Sequence, residues 1–139
     1  MATILNIETS TAVCSVALAS EGAILQHSEE FRGRNHATVL SGFIKDALDY
    51  LARHDMKLDA VAVSIGPGSY TGLRIGLSEA KGLAYALECK LIGVKTLELM
   101  TVGVMFGEHN LPEGTLYAPM IDARRMDCLL YTSPSPRDA

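Results

Sequence analysis

At 139 residues, with a mean hydropathy of +0.19 and a formal net charge of −4, the chain has the length of about one domain and enough apolar residues for a core. The acidic balance and the lack of a basic patch exclude unaided nucleic-acid binding, so we expect any role on RNA to run through a partner protein. The first residues show no secretory leader, and no apolar run reaches the ~18 residues of a membrane helix. We therefore expect a cytoplasmic protein with no membrane contact.

Hydrophobic periodicity predicts the elements that follow in chain order. Three β-rich runs come first, and Gly22 suits a tight hairpin between the second and the third. Asn35 is placed to cap the first helix and Thr96 to cap the third. The predicted strands are residues 3–7, 13–19, 23–31, 60–65, 91–94, 116–121 and 128–131, and the predicted helices are residues 36–54, 71–87 and 96–106.

This βββαβα-type order predicts an α/β domain with a mixed sheet, an antiparallel edge and helices on both faces. It is the ribonuclease-H-like topology that actin-like ATPase (ASKHA) domains share. The last residues, 132–139, read TSPSPRDA and leave the apolar pattern abruptly. We expect them to be a non-native or disordered tail, outside the fold.

The most informative segment is the turn at residues 66–76, which reads GPGSYTGLRIG and joins the fourth strand to the second helix. This much glycine lets the backbone closely approach either a phosphate or another backbone. A P-loop is excluded because Gly-Lys does not follow at the required spacing after Gly66. A dinucleotide fingerprint is excluded because Thr71 occupies the third glycine position. Both kinds of approach remain open.

Small residues recur at every fourth position of the second helix, at Gly72, Gly76, Ala80 and Ala84, and form a slanted ridge. A glycine inside a helix costs ~1 kcal/mol relative to alanine, so the ridge indicates close approach of another helix. Two interpretations are equally open. The ridge and the first helix either form a subunit interface or pack against each other within one subunit.

Few side chains are arranged as catalysis requires. The three cysteines contain no C-x-x-C pair, which indicates reduced thiols, and the four histidines contain no metal-binding pair. Ser69 lacks evident histidine and acid partners, and Glu8 alone does not supply the carboxylates of a nuclease. We therefore expect no catalytic residue and no metal ligand.

Thr9, Ser10 and Thr11 are the one weak cofactor site, since their hydroxyls could meet the phosphates of ATP, although capping a turn is the stronger interpretation.

Four segments point to a known family: ILNIETSTAVCSVAL near the start, the GPGSYTGLRIG turn, LIGVKTLELM and APMIDARR. In order and interval, from about residue 1 to residue 125, they resemble the TsaB family, also called YeaZ. Members of that family are bacterial partner proteins in making threonylcarbamoyladenosine on tRNA. The glycine-rich run together with IDARR is specific to this resemblance.

The resemblance implies an ASKHA-type domain that does not itself catalyse. The catalytic relative TsaD has a histidine-bearing metal motif after the strand that corresponds to residues 91–94, and here that place reads KTLELM. TsaB-like proteins pair with TsaD through their first two helices, form homodimers through a similar surface when alone, and are joined by the ATPase TsaE. This favours the interface interpretation of the ridge. The residues assigned to the partner interface are Leu40, Phe43, Ile44, Ala47, Gly72, Leu73, Gly76, Leu77, Ala80 and Ala84.

Two departures from the family pattern bear on the expectations. Glu8 stands where many relatives carry aspartate, and the glycine of the Asp-x-Gly-Thr turn of actin-type ATPases is absent, so ATP contact is only weakly supported. The family also has a second α/β subdomain after the IDARR segment. We therefore expect an N-terminal ASKHA-like subdomain at residues 1–115, the start of a truncated second subdomain at 116–131, and the tail at 132–139.

The function implied is a non-catalytic scaffold subunit that pairs with TsaD and supports threonylcarbamoyl transfer to the adenosine next to the tRNA anticodon, without direct tRNA binding. An ASKHA-type small-molecule kinase or ATPase is the alternative. The peptidase label carried by some relatives finds no supporting nucleophile, base or metal site in the sequence.

Overall fold

The computed structural model describes residues 1–33, 35–107, 110–124 and 127–130 of the chain. The strands are β1 (Thr3–Glu8), β2 (Cys14–Ser20), β3 (Ala23–Glu30), β4 (Ala60–Ser64), β5 (Lys90–Val94), β6 (Met120–Arg124) and β7 (Asp127–Leu130). The helices are α1 (His36–Arg53), α2 (Tyr70–Ala86) and α3 (Thr96–Met105). The predicted order is confirmed from β1 to α3. The tail predicted at 132–139 lies outside the described residues, as does residue 131 at the end of the predicted last strand.

Five strands form one mixed sheet in the order β3-β2-β1-β4-β5. The hairpin strands β1, β2 and β3 pair antiparallel, whereas β4 pairs parallel with both β1 and β5. The predicted α/β class with an antiparallel edge is therefore confirmed. Because β1 and β4 are parallel neighbours, Glu8 and Ser64 end their strands at the same edge of the sheet, and that edge carries the glycine-rich turn.

Helices α1 and α2 pack side by side over one face of the sheet. The residues that α1 buries are Leu40, Ile44, Ala47 and Leu51, at the three- and four-residue spacing that the sequence predicts. They meet alternate residues of β1 and β2, such as Leu5 and Leu18, which are fully buried. Helix α3 differs, because only Thr96 and Leu97 of its ten residues are buried.

The turn chemistry explains the hairpin and corrects two predicted caps. Glu21 and Gly22 both have positive φ, as the two-residue turn between twisted strands requires. Asn35 occupies the cap position of α1 in the left-handed conformation, but its side chain makes no capping hydrogen bond. Thr96 is the first helical residue of α3, and Lys95 takes the cap position.

The strand predicted at residues 116–121 begins later, at Met120. Pro119 directly precedes it and has no N–H to give to a ladder, so the strand begins after the proline. Within the described part of the chain, β6 pairs with β7 and with no strand of the larger sheet.

Among the helices that the structure describes, none is both long and apolar enough to cross a membrane.

Candidate functional site

The glycine-rich turn approaches another stretch of backbone. A Cβ added to Gly68 would lie 2.6 Å from the carbonyl oxygen of Ser10. A Cβ on Gly72 would collide with the carbonyl oxygen of Thr9, and one on Gly76 would collide with the hydroxyl of the same threonine. These glycines are therefore required by close packing of the turn and of α2 against the end of β1, which answers the question that the sequence left open.

Hydrogen bonds fasten the two turns together. The N–H of Ser69 donates to the carbonyl of Ser10 at 2.7 Å, and the hydroxyl of Thr9 donates to the carbonyl of Gly72 at 2.7 Å. The hydroxyl of Ser69 in turn accepts from the N–H of Gly72 at 3.2 Å and caps α2. The first turn of α2 is thereby held on the residues that follow β1.

Glu8 connects the ends of the two parallel strands β1 and β4. One carboxylate oxygen accepts from the N–H of Ser10 at 2.8 Å and also from the hydroxyl of Ser10. The other oxygen accepts from the hydroxyl of Ser64. Both carboxylate oxygens are thus engaged by the chain itself, which gives Glu8 a structural role at this edge of the sheet.

The predicted cofactor residues are placed differently from one another. Thr9 and Ser10 are buried, with 0% and 3% of their surface exposed, and both hydroxyls donate to partners within the chain. Thr11 is exposed, and its hydroxyl accepts from the N–H of Val13 at 3.2 Å. ATP binding at this turn stays a prediction. Contact through Thr9 or Ser10 would require the two turns to separate first.

The small-residue ridge lies inside the chain. All four ridge residues are buried, and the ridge faces β4 and the turn after β1. Leu40, Ile44 and Ala47 of α1 are buried in the same core. The assignment of these residues to a partner interface is corrected, because a side chain packed against its own sheet has no surface left for a second protein. The residues concerned are Leu40, Ile44, Ala47, Gly72, Gly76, Ala80 and Ala84.

The other three predicted interface residues are half-buried. Phe43 and Leu77 pack against the edge of the core, and Leu73 reaches the turn at Gly66. They contribute to the core and retain some exposed surface.

The solvent side of α1 and α2 carries small and hydroxyl residues. The hydroxyl of Ser41 donates to the carboxylate of Glu79 at 3.4 Å and bridges the two helices. Gly42 adjoins Ser41, and Gly82 lies about one turn beyond Glu79. A Cβ at either glycine would meet no atom of the described part of the chain within 4 Å. We call this region the outer helix surface, defined by the exposed residues Thr38, Ser41, Gly42, Ser78 and Gly82.

Two side chains of chemically reactive types, Cys14 and His36, take part in the packing and hydrogen bonding of the chain. Burial, and secondly the negative charge of Glu30, raise the pKa of the Cys14 thiol, which disfavours its nucleophilic form. The Nε2 atom of His36 lies 3.0 Å from the carbonyl oxygen of Thr11 and ties the start of α1 to the β1–β2 turn. Within the ranges described above, no three His, Cys, Asp or Glu side chains are grouped as a metal site would require. His109 lies outside those ranges.

Sequence reasoning missed the bond between Glu8 and Ser64 and the exposed glycine pair. A polar residue closing the apolar strand AVAVS could have indicated the first. No sequence pattern indicated the two exposed glycines, because Gly42 lies on α1 and Gly82 lies on α2.

The comparisons with known proteins agree with this fold. Residues 25–136 match the family described as TsaD, tRNA N6-adenosine threonylcarbamoyltransferase. The chain is 40% identical over 100 residues to the tRNA threonylcarbamoyladenosine biosynthesis protein TsaB of Escherichia coli, which covers 72% of the chain and 43% of that relative. It is 33% identical over 123 residues to TsaB of Bacillus subtilis, covering 88% and 51%. The chain thus spans about half the length of the curated relatives it matches.

A solved structure shows the same architecture. The crystal structure of an uncharacterized protein from Pseudomonas aeruginosa, described as similar to peptidase YEAZ, superposes with a TM-score of 0.73 at 33% identity. The superposition covers 94% of the chain and 58% of that protein. The shared fold supports the actin-like, ribonuclease-H-like topology that the element order predicts.

Proposed function

The chain belongs to the TsaB (YeaZ) family within the broader group described as tRNA N6-adenosine threonylcarbamoyltransferase, and we propose that it serves threonylcarbamoyladenosine formation on tRNA as a non-catalytic partner subunit. Its partner would be a TsaD-type transferase, with a TsaE-like ATPase joining the pair in the cytoplasm. In the absence of the transferase, two copies of the chain would pair instead.

The observation that carries this proposal is the closed contact between the turn after β1 and the glycine-rich turn. In actin-type ATPases the first of these turns touches the nucleotide phosphates. Here the hydroxyls of Thr9 and Ser10 and both oxygens of Glu8 bond within the chain. Polar groups that hydrogen-bond to one another stabilise the fold of the two turns. Few of them remain free to bind a reacting phosphate.

The outer helix surface is the region we propose for the transferase contact. Glycine inside a helix costs ~1 kcal/mol relative to alanine, and among the residues that the structure describes no neighbour requires a missing Cβ at Gly42 or Gly82. Close approach of a helix from a second protein would account for both glycines, because small residues let two helix backbones come near each other. The contact thus shifts from the buried ridge to the opposite, solvent-facing side of the same two helices.

The net charge of −4 supports the remaining part of the proposal. Neutralising tRNA phosphates requires clustered lysine and arginine, so the transferase would supply the tRNA contact and the chain would act on the transferase.

Reconstitution tests this proposal. A tRNA N6-adenosine threonylcarbamoyltransferase is assayed with its substrates, with and without the purified chain, and modified adenosine is measured by mass spectrometry. We expect the chain alone to form no product and the mixture to form more than the transferase alone. Product from the chain alone would identify it as a transferase, and an unchanged yield without a detectable complex would contradict the partner role.

A further inference from the structure

Strand β3 lies at one end of the main sheet and leaves one side of its backbone unpaired. Among the described strands it pairs only with β2, and from Gln26 to Glu30 that pairing continues without a register shift. An edge strand presents alternate N–H and C=O groups that can pair with another chain. Natural proteins often block such an edge with proline or lysine, and β3, which reads AILQHSEE, contains neither. This edge is therefore open to a further strand.

Large apolar side chains are exposed beside both ends of this edge. Ile24, near the start of β3, is 68% exposed, and Phe31, which directly follows the strand, is 69% exposed. Single exposed apolar residues are ordinary on a protein surface, but these two flank an open strand edge. A chain that extends along β3 would lie beside both of them.

Two cavities lie between β3 and α1. The first, of about 490 Å³, is beside Gln26, and the second, of about 560 Å³, is beside Glu30. Gln26 and Glu30 pair with Leu18 and Cys14 of the core, so their side chains lie on the sheet face that α1 covers. Residues four apart on a strand face the same side and are ~13 Å apart, at ~3.3 Å per residue. A chain extended beside β3 would therefore present side chains to both cavities. The other lining residues are Asp46, Asp49, Ala52 and Arg53 in the first, and Arg32, Asn35 and Val39 in the second.

The polar groups around the first cavity favour a cationic hydrogen-bond donor. The side-chain oxygen of Gln26 is buried and has no hydrogen-bond partner within the ranges described above. The carboxylates of Asp46 and Asp49 are exposed, and neither bonds to a described residue. The Nε atom of Arg53 donates to the backbone carbonyl of Asp49 at 3.3 Å, and Arg53 forms no ion pair with either described carboxylate. A lysine or arginine side chain would supply the donor that these oxygens lack.

We propose that the edge of β3 binds an extended segment of another protein that carries lysine or arginine at alternate positions, and that the cavity beside Gln26, Asp46 and Asp49 receives one of these cations. Strand addition takes its affinity from backbone hydrogen bonds and its specificity from pockets for alternate side chains. A second copy of the chain is a poorer occupant, because it would bring a second set of the same carboxylates to this edge. The proposal does not rest on the transferase contact.

Synthetic peptides test this site. The 139-residue chain is titrated with a seven-residue peptide that alternates lysine and valine, and binding is followed by calorimetry and by hydrogen exchange in β3. We expect binding, and we expect the β3 amides that do not bond to β2 to exchange at least about tenfold more slowly with the peptide bound. The same peptide with glutamate in place of lysine should not bind. A fully N-methylated lysine peptide should not bind either, because it keeps the charges but has no N–H to donate to β3.

Paired variants test the cationic pocket. Asp46→Asn with Asp49→Asn removes two exposed carboxylates, so we expect it to weaken binding of the lysine peptide at least about tenfold. The matched control is Glu88→Gln with Glu98→Gln, which changes the net charge equally on either side of β5, at the opposite edge of the sheet, and should bind like the natural chain. Equal weakening by the two double variants would contradict the pocket.

Three further results would overturn the proposal. The first is unchanged exchange in β3 with the lysine peptide at millimolar concentration. The second is equal binding of the N-methylated peptide, because that shows attraction of charge without strand addition. The third is β3 exchange that slows as the concentration of the chain alone rises, because that assigns the edge to a second copy. Gly82→Arg, on the outer helix surface, should bind the lysine peptide like the natural chain, so this contact and the transferase contact can fail separately.

Discussion

The hydroxyl of Thr9 donates a 2.7 Å hydrogen bond to the carbonyl of Gly72, and this bond joins the end of β1 to the first turn of α2. Gly76, one turn further along α2, packs directly over the same threonine. The two glycines exist because Thr9 occupies the space that their side chains would need. One buried threonine thereby explains the two glycines among the four small residues of the ridge.

Replacing Gly76 tests this explanation. Gly76→Ala places a methyl group against the Thr9 hydroxyl, so α2 or the turn after β1 must move. We expect the free energy of unfolding in urea to fall by about 2–4 kcal/mol.

The matched control is Gly82→Ala, six residues further along the same helix, where a Cβ would have no described atom within 4 Å. Helix propensity should there raise the stability by up to about 1 kcal/mol. Equal effects at the two positions would contradict the packing described for Gly76.

Glu8 provides a second prediction, on the edge where β1 and β4 end. Glu8→Gln keeps the shape of the side chain but replaces one carboxylate oxygen by an NH2 group. That NH2 group would face the hydroxyl or N–H groups that donate to the carboxylate in the natural chain. We expect a loss of about 1.5–3 kcal/mol in the free energy of unfolding, measured with urea.

Ser64→Ala removes only one donor to the same carboxylate and should cost less, about 1 kcal/mol. If Glu8→Gln proved as stable as the natural chain, the carboxylate would not be the group that fastens this edge.

Cys14 provides a prediction about reactivity. Burial and the charge of Glu30 raise the pKa of its thiol, so at pH 8 a smaller fraction is thiolate than in an ordinary cysteine. We expect iodoacetamide to label Cys14 at least about tenfold more slowly than the partly exposed Cys89 in the folded protein.

Labelling in urea is the control, because unfolding removes burial and should bring the two rates together. Cys14 labelled as fast as Cys89 in the folded chain would contradict its burial.

The sequence predicted the elements well because their periodicity is local. The spacing of Leu40, Ile44 and Leu51 marks the buried side of α1 without knowledge of what it packs against. The ridge on α2 was different, because small residues at every fourth position fit a partner helix and a neighbouring strand end equally well. Only the structure shows that Thr9, which is 63 residues away from Gly72 in the chain, packs against the glycines of this ridge.

The same limit applies to the candidate site. The exposed glycines Gly42 and Gly82 belong to one surface only because α1 packs beside α2, as the bond between Ser41 and Glu79 shows, and no spacing within one helix reveals this. Thr96 has the residue type of a helix cap, but the contact of its N–H with Gly66 draws it into the first turn of α3. Tertiary contacts of this kind decide between local alternatives.

The most direct test of the proposed partner role is titration calorimetry of the chain with a TsaD-type transferase, comparing Gly82→Arg with Gly103→Arg. Both glycines lie inside helices with open space where a Cβ would stand, so both variants should fold, but only Gly82 is on the outer helix surface. The account predicts that Gly82→Arg weakens binding at least about a hundredfold, which corresponds to ~2.7 kcal/mol, while Gly103→Arg binds like the natural chain. Equal binding by both variants, or no binding by the natural chain, would contradict it.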